Sequence, residues 1–574
     1  MKSILLRRSF ITEAAVLLAA FVILSAFGAA PRAASGKEAW PPQDRWFYVV
    51  RGLESDAGTD GVIDLINRAS SVGLNGMLWS ADWDDADRWS EEKIARCQRV
   101  KEAADKADVE IIPILWTIGY GTMTGKNPNL AEGLPVKNLP MAVKDGKAVY
   151  LPERIKDVNG GMEEWKGENT LVGAVFHDKP GEISFRDDKV FHGGKSSLRM
   201  ENFTADQYGH GRVLFEVEVE PYRVYRVTAW LKANDVHGQV MVQVNDMNGG
   251  QLSRYEARPN TEYGAFNSDW TKVTTSFRAP KDGKARLYAG VWDGGSGTLW
   301  IDDMQLEGVG LVNPLRRPGT PISVKSADGK TEYKEGKDWT LPEFRLRLWD
   351  PDAESQTLII PEGSAIQDGQ KLSVDFYYAP LVGAPQIGTC MSEPEVYEEF
   401  EKSAAAVVKL INPKKWFLSM DEIRCAGTCK ACKDRGISLA AILGDCITKQ
   451  RAIIKKARPD ADVYIWSDML DPNHNAHDNY YVCEGDYSGV WDLIPKDLVV
   501  ACWYYEIRDK SMKFFSERGF RTLGAAYYDT AKLEDNCLGW IDTCKQTPGC
   551  VGIMYTTWQK RYELLEPFGK ALQK

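Results

Sequence analysis

Strand-like and helix-like segments alternate along two separate stretches of the chain, residues 45–118 and 394–574. The first stretch contains three strand-like segments and the second contains five. Short apolar runs separated by amphipathic runs of helical period are typical of parallel strands joined by helices. Eight such strands close a (β/α)8 barrel. We therefore predict an α/β fold, a TIM barrel with strands one to three in residues 40–155 and strands four to eight in residues 391–574.

The stretch between the two halves of the barrel has a different pattern. Residues 156–307 alternate apolar and polar side chains in short runs, as in Val213–Val219, with turns rich in Gly, Asn and Pro. Such alternation indicates antiparallel strands with one buried face. We predict an inserted all-β sandwich here, and a β-rich elaboration in residues 308–390 that leads back to the barrel.

The first residues of the chain resemble an export signal in their layout. Arg7 and Arg8 precede an apolar run from Ala14 to Phe27, and small residues follow as far as Ser35. This is the order of regions in a secretory signal peptide with twin-arginine character. We predict a signal peptide in residues 1–35 and a periplasmic or extracellular protein. The alternative is a retained membrane anchor, which would be the protein's only membrane contact.

Charge and cysteine content narrow the classes of partner and cofactor. The net charge of −10 argues against nucleic acid as a partner. Cys425, Cys429 and Cys432 have the C-x3-C-x2-C spacing of a radical S-adenosylmethionine iron–sulfur loop, but those loops follow the first barrel strand of cytosolic enzymes. A disulfide or a structural zinc site explains the spacing better, although no fourth ligand is evident. We predict no cofactor and assign no metal site.

The apolar run Lys415–Met420 ends on two adjacent carboxylates, Asp421 and Glu422. In a (β/α)8 barrel the reacting groups lie at the C-terminal ends of the strands. A carboxyl pair there can supply the proton donor and the charge stabiliser that cleavage of a glycosidic bond requires. The alternative is an acidic pair that opens the following helix, where negative charge is favoured.

The other strand ends carry aromatic and charged residues. Aromatic rings pack on the apolar faces of sugars, while Arg and carboxylates bind hydroxyls through charge-assisted hydrogen bonds. The loop after strand five contributes two histidines, which we expect to contact sugar hydroxyls, with zinc or calcium as the alternative ligand. We predict a glycan-binding pocket lined by Arg51, Trp79, Trp116, Trp466, Asp468, His474, His477, Trp503, Glu506, Tyr527, Asp529 and Trp558.

Four pieces of the insert together resemble the carbohydrate-binding modules of the family 4 and 9 type. They are Asn159–Trp165, His192–Met200, Tyr225–Lys232 and Gly297–Asp303, and the resemblance covers nearly the whole insert. The resemblance implies a jelly roll. Many such modules bind glycan chains, although relatives serve only as spacers.

The strand ends of the barrel resemble those of the family 20 glycoside hydrolases, the β-N-acetylhexosaminidases. The matching features are Asp421-Glu422 at strand four, Arg51 at strand one, Tyr527-Tyr528-Asp529 at strand seven, and Trp466, Trp503 and Trp558 on later strands. The chain departs from the family in two places. It has Ser-Met-Asp-Glu instead of His-x-Gly-Gly-Asp-Glu, and Trp-Gln-Lys instead of Trp-x-Glu.

The resemblance implies that Glu422 protonates the leaving oxygen while the substrate's own acetamido oxygen attacks the anomeric carbon. Asp421 would orient the acetamido group, and Tyr527 would belong to the same catalytic set. We therefore predict an exported glycoside hydrolase that acts on an oligo- or polysaccharide. Two alternatives stay open: a retaining β-glycosidase with Glu506 or Asp529 as nucleophile, and a glycan-binding protein on a barrel without catalytic activity.

Overall fold

The structure is a computed structural model that describes residues 40–257, 265–383 and 386–574. The predicted signal peptide, residues 1–35, lies outside the described residues. No helix in the described part of the chain is both long enough and apolar enough to span a bilayer.

Eight parallel strands form a closed barrel in chain order, which confirms the predicted α/β fold. β1 pairs with β8 through Asp44–Phe47 and thereby closes the ring. The strands are β1 (Asp44–Val50), β2 (Gly76–Ser80), β3 (Glu110–Leu115), β4 (Lys415–Leu418), β5 (Asp462–Trp466), β6 (Val499–Cys502), β7 (Arg521–Tyr527) and β8 (Cys550–Thr556). Three of them precede the insert and five follow it, as the sequence predicts.

Helices cover the outside of the barrel. They are α1 (Asp56–Ser71), α2 (Glu91–Lys106), α3 (Pro394–Ile411), α4 (Lys430–Lys433), α5 (Leu439–Ala457), α6 (Arg508–Glu517), α7 (Cys537–Gln546) and α8 (Leu565–Ala571). Three of the four long helices, α1, α2 and α5, begin at capping serines. The Ser55 hydroxyl, for example, accepts from the Gly58 N–H at 3.0 Å and the Ser90 hydroxyl from the Lys93 N–H at 3.2 Å. Between β5 and β6 only 3-10 turns are present, so a long loop runs there.

The insert folds as the predicted antiparallel sandwich. Two long strands, Val224–Asn245 and Lys284–Gly308, pair along most of their length, and breaks in their register bend them through both layers. The other strands of this sheet are Phe176–His177, Ser184–Asp187, Ser197–Met200, Gly211–Glu218, Gln251–Glu256 and Phe266–Arg278. Trp165–Lys166 and Thr170–Leu171 form a separate two-stranded sheet in the insert. The alternating apolar side chains enclose a core of their own, separate from that of the barrel.

A third unit differs from the predicted division of the chain. The strand Leu134–Lys144, which falls inside the stretch predicted as barrel, pairs antiparallel with Lys371–Tyr378. The six strands of this sheet are Leu134–Lys144, Lys147–Tyr150, Ser323–Ser326, Glu332–Tyr333, Leu358–Ile359 and Lys371–Tyr378. The predicted β-rich elaboration therefore contributes four strands of a sheet whose other two strands precede the sandwich. A local pattern predicts a strand but not its partner.

Both inserted units occupy the connection between β3 and α3. Connections that follow a strand emerge at the C-terminal face of a barrel, where the strand-end residues also lie. The inserted units therefore emerge on the face that carries the candidate site.

An ion-pair network joins four strands at the opposite, N-terminal face. The buried Asp44 carboxylate on β1 accepts from the Lys415 ammonium on β4 at 2.8 Å and from the Tyr464 hydroxyl on β5. Lys415 also donates to Glu110 on β3 at 2.9 Å. The network thus connects strands from both halves of the barrel, which are separated in sequence by the insert.

Replacement of Lys415 by Met should destabilise the protein. It leaves the buried Asp44 carboxylate without its cation, a loss that costs about 3–5 kcal/mol when one member of a buried ion pair is removed. Urea unfolding of Lys415→Met beside Lys414→Met, where the neighbouring lysine is exposed, measures the difference. Equal unfolding free energies for the two variants would contradict this role of the network.

Candidate active site

The chain bends sharply just after β4. Met420 has φ 50° and Glu422 has φ 47°, both in the left-handed region that non-glycine residues seldom adopt. Adjacent side chains on a regular strand point to opposite faces. The bend allows the side chains of Asp421 and Glu422 to line the same cavity. Gly119 packs against it so closely that a Cβ at this position would lie 2.1 Å from the Asp421 carbonyl oxygen.

The cavity lies at the C-terminal end of the barrel and has a volume of about 170 Å³. Two carboxyl groups and several aromatic rings form its wall. It is lined by Tyr120, Asp421, Glu422, Trp466, Trp503, Tyr528 and Trp558. Four of the predicted residues besides Asp421 thus come together here: Glu422, Trp466, Trp503 and Trp558.

Trp558 is the centre of the aromatic wall. Its ring contacts those of Tyr48 at 5.2 Å, Tyr528 at 6.1 Å, Trp116 at 6.2 Å and Trp466 at 6.4 Å between centroids. Trp558 nevertheless remains 39% exposed. A ring that is fixed by its neighbours and still open to solvent is suited to packing against the apolar face of a ligand.

The two oxygens of Glu422 have different surroundings. Oε2 accepts from the Tyr120 hydroxyl at 2.7 Å and from the Arg424 guanidinium at 2.9 Å. Oε1 has no hydrogen-bond partner within the described ranges of the chain. The Glu422 backbone N–H donates to Asp468 Oδ2 at 2.9 Å. One oxygen is therefore held in place, and the other is free to act on a ligand.

Asp421 and Asp468 form a buried acidic pair beneath Glu422. Burial raises the pKa of Asp421 well above its ordinary value, and the nearby charges of Asp468 and Glu422 add to the shift. Burial likewise raises the pKa of Asp468. Asp421 Oδ1 has no hydrogen-bond partner among the described residues although it is buried. A buried acceptor without a donor is costly, so this oxygen is prepared for a donor supplied by a ligand.

Asp468 holds the loops around the cavity together. Besides the Glu422 N–H, it accepts from the Asn475 side chain at 3.0 Å and from the Trp503 indole at 3.4 Å. It is completely buried. The structure therefore places Asp468 behind the cavity wall, where it positions Glu422 and Trp503, rather than in the lining.

The end of β7 is strained, and it separates Tyr527 from the cavity. Tyr527, Tyr528 and Asp529 all have positive φ, at 83°, 51° and 61°. Tyr527 is buried and stacks on Tyr555 with centroids 4.0 Å apart, whereas Tyr528 lines the cavity. In the structure Tyr528 therefore holds the place at the cavity that the sequence analysis predicts for Tyr527.

Asp529 has both carboxylate oxygens engaged. One accepts from the Thr557 hydroxyl and the other from the Trp558 backbone N–H at 2.8 Å. These bonds fix the turn after β8, and with it the indole of Trp558. Glu506 is exposed in the 3-10 turn Tyr505–Ile507 and does not line the cavity.

Three other predicted residues are not part of the cavity lining. Arg51 is exposed at the end of β1, and its carbonyl accepts from the Trp79 indole at 2.8 Å. The Trp79 side chain faces outward from β2. It is fully buried against Trp83 in the core between the strands and the helices. Trp116 is half-buried and packs its edge against Tyr120 at 4.9 Å.

The two predicted histidines lie on the loop between β5 and β6. His474 packs against Trp503 at 4.5 Å and Tyr504 at 4.9 Å, and burial lowers its pKa. His474 therefore supports the wall of the cavity from behind. His477 is exposed and bonds the Asp478 carbonyl.

The sequence analysis does not predict Tyr120 and Arg424 at the site, and it names Tyr528 only within the strand-seven motif, without a role. Arg424 lies two residues after Glu422, and Tyr120 lies beyond the end of β3. Each is in or next to a segment that the sequence analysis singled out. Which loop side chains turn inward depends on backbone angles that the pattern does not reveal.

The insert is similar to a known protein family. Residues 157–295 match a family model described as "Carbohydrate binding domain". This match agrees with the resemblance of the insert to carbohydrate-binding modules. No curated protein matches the chain significantly.

Solved structures with some similarity cover either about a quarter or most of this chain. TmCBM61, solved in complex with β-1,4-galactotriose, is 19% identical over 27% of this chain and 98% of that chain, with a TM-score of 0.20. The CBM22-1 xylan-binding domain of Paenibacillus barcinonensis Xyn10C is 15% identical over 29% and 97%, with a TM-score of 0.19.

The chitobiase of Flavobacterium johnsoniae, from family 20, is 8% identical over 93% of this chain and 48% of that chain, with a TM-score of 0.36. The chain thus spans about half the length of that chitobiase chain. The barrel assignment itself rests on the strand order and pairing described above.

Replacement of Asp421 by Asn should stabilise the protein as the pH rises. The folded state holds the Asp421 proton more tightly than the unfolded state, so the wild type loses stability above the ordinary aspartate pKa of 3.8, up to the raised pKa. Asn does not ionise and avoids this loss. Denaturant unfolding of the variant and the wild type at several values between about pH 4 and about pH 8 tests the sign.

The gain in unfolding free energy should be smallest at the acidic end and increase towards the alkaline end. Asp542→Asn, at an exposed position of α7, is the matched control. Its unfolding free energy should change with pH in the same way as that of the wild type. An Asp421→Asn variant that is less stable than the wild type at the alkaline end would contradict the conclusion that burial raises the pKa of Asp421.

Proposed function

We propose that the protein is a glycoside hydrolase that removes a terminal N-acetylhexosamine residue by substrate-assisted catalysis. One observation carries the proposal. A carboxyl with a free oxygen, on Glu422, and a buried carboxyl with an oxygen that lacks a donor, on Asp421, line one cavity with an aromatic wall. Proton donation and orientation of an acetamido group need two carboxyls in these two environments.

The proposed reaction assigns one role to each carboxyl. Glu422 gives a proton from Oε1 to the glycosidic oxygen while the bond between that oxygen and the anomeric carbon breaks. The substrate's acetamido oxygen attacks the anomeric carbon, and Asp421 Oδ1 accepts a hydrogen bond from the acetamido N–H. Water then opens the cyclic intermediate and returns a proton to Glu422, a route that needs no protein nucleophile.

The size of the cavity supports cleavage at a chain end. Pockets for larger ligands measure about 300–1,000 Å³, whereas this one measures about 170 Å³. It therefore has room for about one sugar residue. The half-open ring of Trp558 provides the surface on which that sugar would pack.

The surroundings of the other acidic residues argue against a protein nucleophile. Asp529 uses both oxygens to hold the turn after β8 that carries Trp558. Glu506 is exposed and outside the cavity lining. Neither is available at the position where a retaining glycosidase keeps its second carboxylate, about 5–5.5 Å from the first.

One contact favours a second function, a glycan-binding barrel without catalytic activity. The Arg424 guanidinium forms an ion pair with Glu422 at 2.9 Å. A carboxylate held by a charge-assisted hydrogen bond to Arg is also a suitable acceptor for sugar hydroxyls in a site that only binds glycan.

The insert and the first 35 residues complete the proposal. The match of residues 157–295 to a carbohydrate binding domain supports a glycan chain as partner, which the sandwich would hold near the barrel. The twin-arginine pattern in residues 1–35 supports export, with the periplasm or the exterior as the place of action.

Replacement of Glu422 by Gln should reduce hydrolysis of an aryl N-acetyl-β-glucosaminide by about 10²- to 10⁴-fold, the contribution of a positioned general acid. Initial rates with purified protein, beside aryl β-galactoside and β-glucoside, give the measurement. Glu102→Gln, an exposed position on α2, is the matched control and should keep the full rate.

The substrate panel separates the candidate functions. Turnover of the acetamido sugar alone, lost in Glu422→Gln, is the outcome the proposal requires. Turnover of a sugar without the acetamido group would contradict the substrate-assisted mechanism and support one that uses a protein nucleophile. Absence of turnover together with glycan binding in calorimetry would favour the binding protein.

A further inference from the structure

A cluster of thiols and one carboxylate is buried outside the candidate active site. Its members are Glu132 from the loop after β3, Cys390 from the segment before α3, and Cys429 and Cys432 at α4. All four are buried, and their potential ligand atoms lie within 4.8 Å of one another. Three segments that are distant in sequence therefore present ligand-type atoms to a common point.

The separations of these atoms match coordination of one ion. Cys390 Sγ lies 3.5 Å from Cys429 Sγ and 3.8 Å from Cys432 Sγ, and Cys432 Sγ lies 3.5 Å from Glu132 Oε2. Sulfurs bound to tetrahedral zinc at about 2.3 Å are about 3.8 Å apart. A disulfide requires about 2.05 Å, so neither sulfur pair is bonded. A cluster of several irons would hold the sulfurs farther apart, because each would bind a different iron.

The carboxylate of Glu132 is oriented for this purpose. Its Oε1 accepts from the Thr428 N–H at 3.0 Å, from the Thr428 hydroxyl at 2.8 Å and from the Cys429 N–H at 2.8 Å. These bonds direct Oε2 towards the thiols. Hydrogen bonds that fix the orientation of a metal-binding side chain are a regular feature of metal sites.

The Arg317 guanidinium contacts the cluster, with Nη2 3.9 Å from Cys429 Sγ, and is paired with Glu393 at 3.1 Å. Thiols bind a metal ion in the deprotonated form and release their protons on binding. A divalent cation would offset the negative charge that three thiolates and a carboxylate carry in the bound state.

We propose that Glu132, Cys390, Cys429 and Cys432 bind one tetrahedral divalent metal ion of the zinc class. Thiolate-rich tetrahedral sites without an open position are typical of structural zinc. The sequence analysis noted the spacing of Cys425, Cys429 and Cys432 but assigned no metal. In the structure Cys425 instead faces the Thr428 hydroxyl at 4.0 Å and packs with the core of the sandwich.

The ion would connect the segments that support the candidate active site. The Glu132 N–H donates to the Gly388 carbonyl at 2.8 Å, and the Gln386 side chain donates to the Glu422 carbonyl at 3.1 Å. Cys429 and Cys432 follow Glu422 on the same loop. The site is therefore structural, and its existence does not depend on the proposed hydrolase activity.

Elemental analysis of the purified full chain tests the site directly. We expect one zinc per chain, and loss of the bound zinc in Cys390→Ser and Cys432→Ser. Cys97→Ser is the matched control, because Cys97 is a buried cysteine on α2 outside the cluster, and it should keep the ion. Cobalt-loaded wild type should show thiolate-to-cobalt charge transfer and the visible bands of a tetrahedral site.

A second measurement on the wild type keeps the test independent of how the variants fold. Alkylation of the wild type without and with prior chelation, each followed by peptide mass spectrometry, reports the state of the three thiols. Protection of all three before chelation and free reaction afterwards is expected. A disulfide among them, stoichiometric iron with labile sulfide, or full reaction of the thiols before chelation would each overturn the proposal.

Discussion

The bend after β4 determines the chemistry that this barrel can support. Asp421 and Glu422 follow each other in sequence, and a continued strand would direct one of them away from the barrel mouth. Left-handed backbone angles at Met420 and Glu422 bring both carboxyls to the cavity. Such angles cost free energy, about 1–3 kcal/mol each. The surrounding structure must therefore hold the bend in place.

Contacts from several loops provide that hold. Asp468 accepts the backbone N–H of Glu422, and Gly119 allows the loop after β3 to approach the Asp421 carbonyl. The thiol and carboxylate cluster lies further along the same loop. Because the inserted units emerge between β3 and α3, the insert and the site share the segments that carry Glu132 and Cys390. The insertion point is thus also the support of the candidate active site.

The buried carboxyl groups at the site lower the stability of the fold. Burial raises the pKa of both Asp421 and Asp468, and the charge of Asp468 adds to the shift of Asp421. A core made only of apolar residues would be more stable. Acidic pairs with perturbed pKa values are a recurring feature of catalytic sites.

Much of the architecture follows from local patterns in the sequence. Alternating strands and helices predict eight parallel strands, and two-residue alternation predicts the sandwich, because each pattern reports which side of an element is buried. The ends of the strands likewise predict Asp421, Glu422, Trp466, Trp503 and Trp558 at the cavity, since all strands of a barrel end on one face.

Tertiary structure alone decided the rest. Strand ends predict residues near the barrel mouth, but strained backbone angles turn Tyr528 inward in place of Tyr527, and packing buries Trp79 in the core. The pairing of residues 134–144 with residues 371–378, across the whole sandwich, has no local signature. The cluster of Glu132 with three cysteines joins residues up to 300 positions apart. Contacts between distant segments depend on how the elements pack, and a local pattern carries no information about their partners.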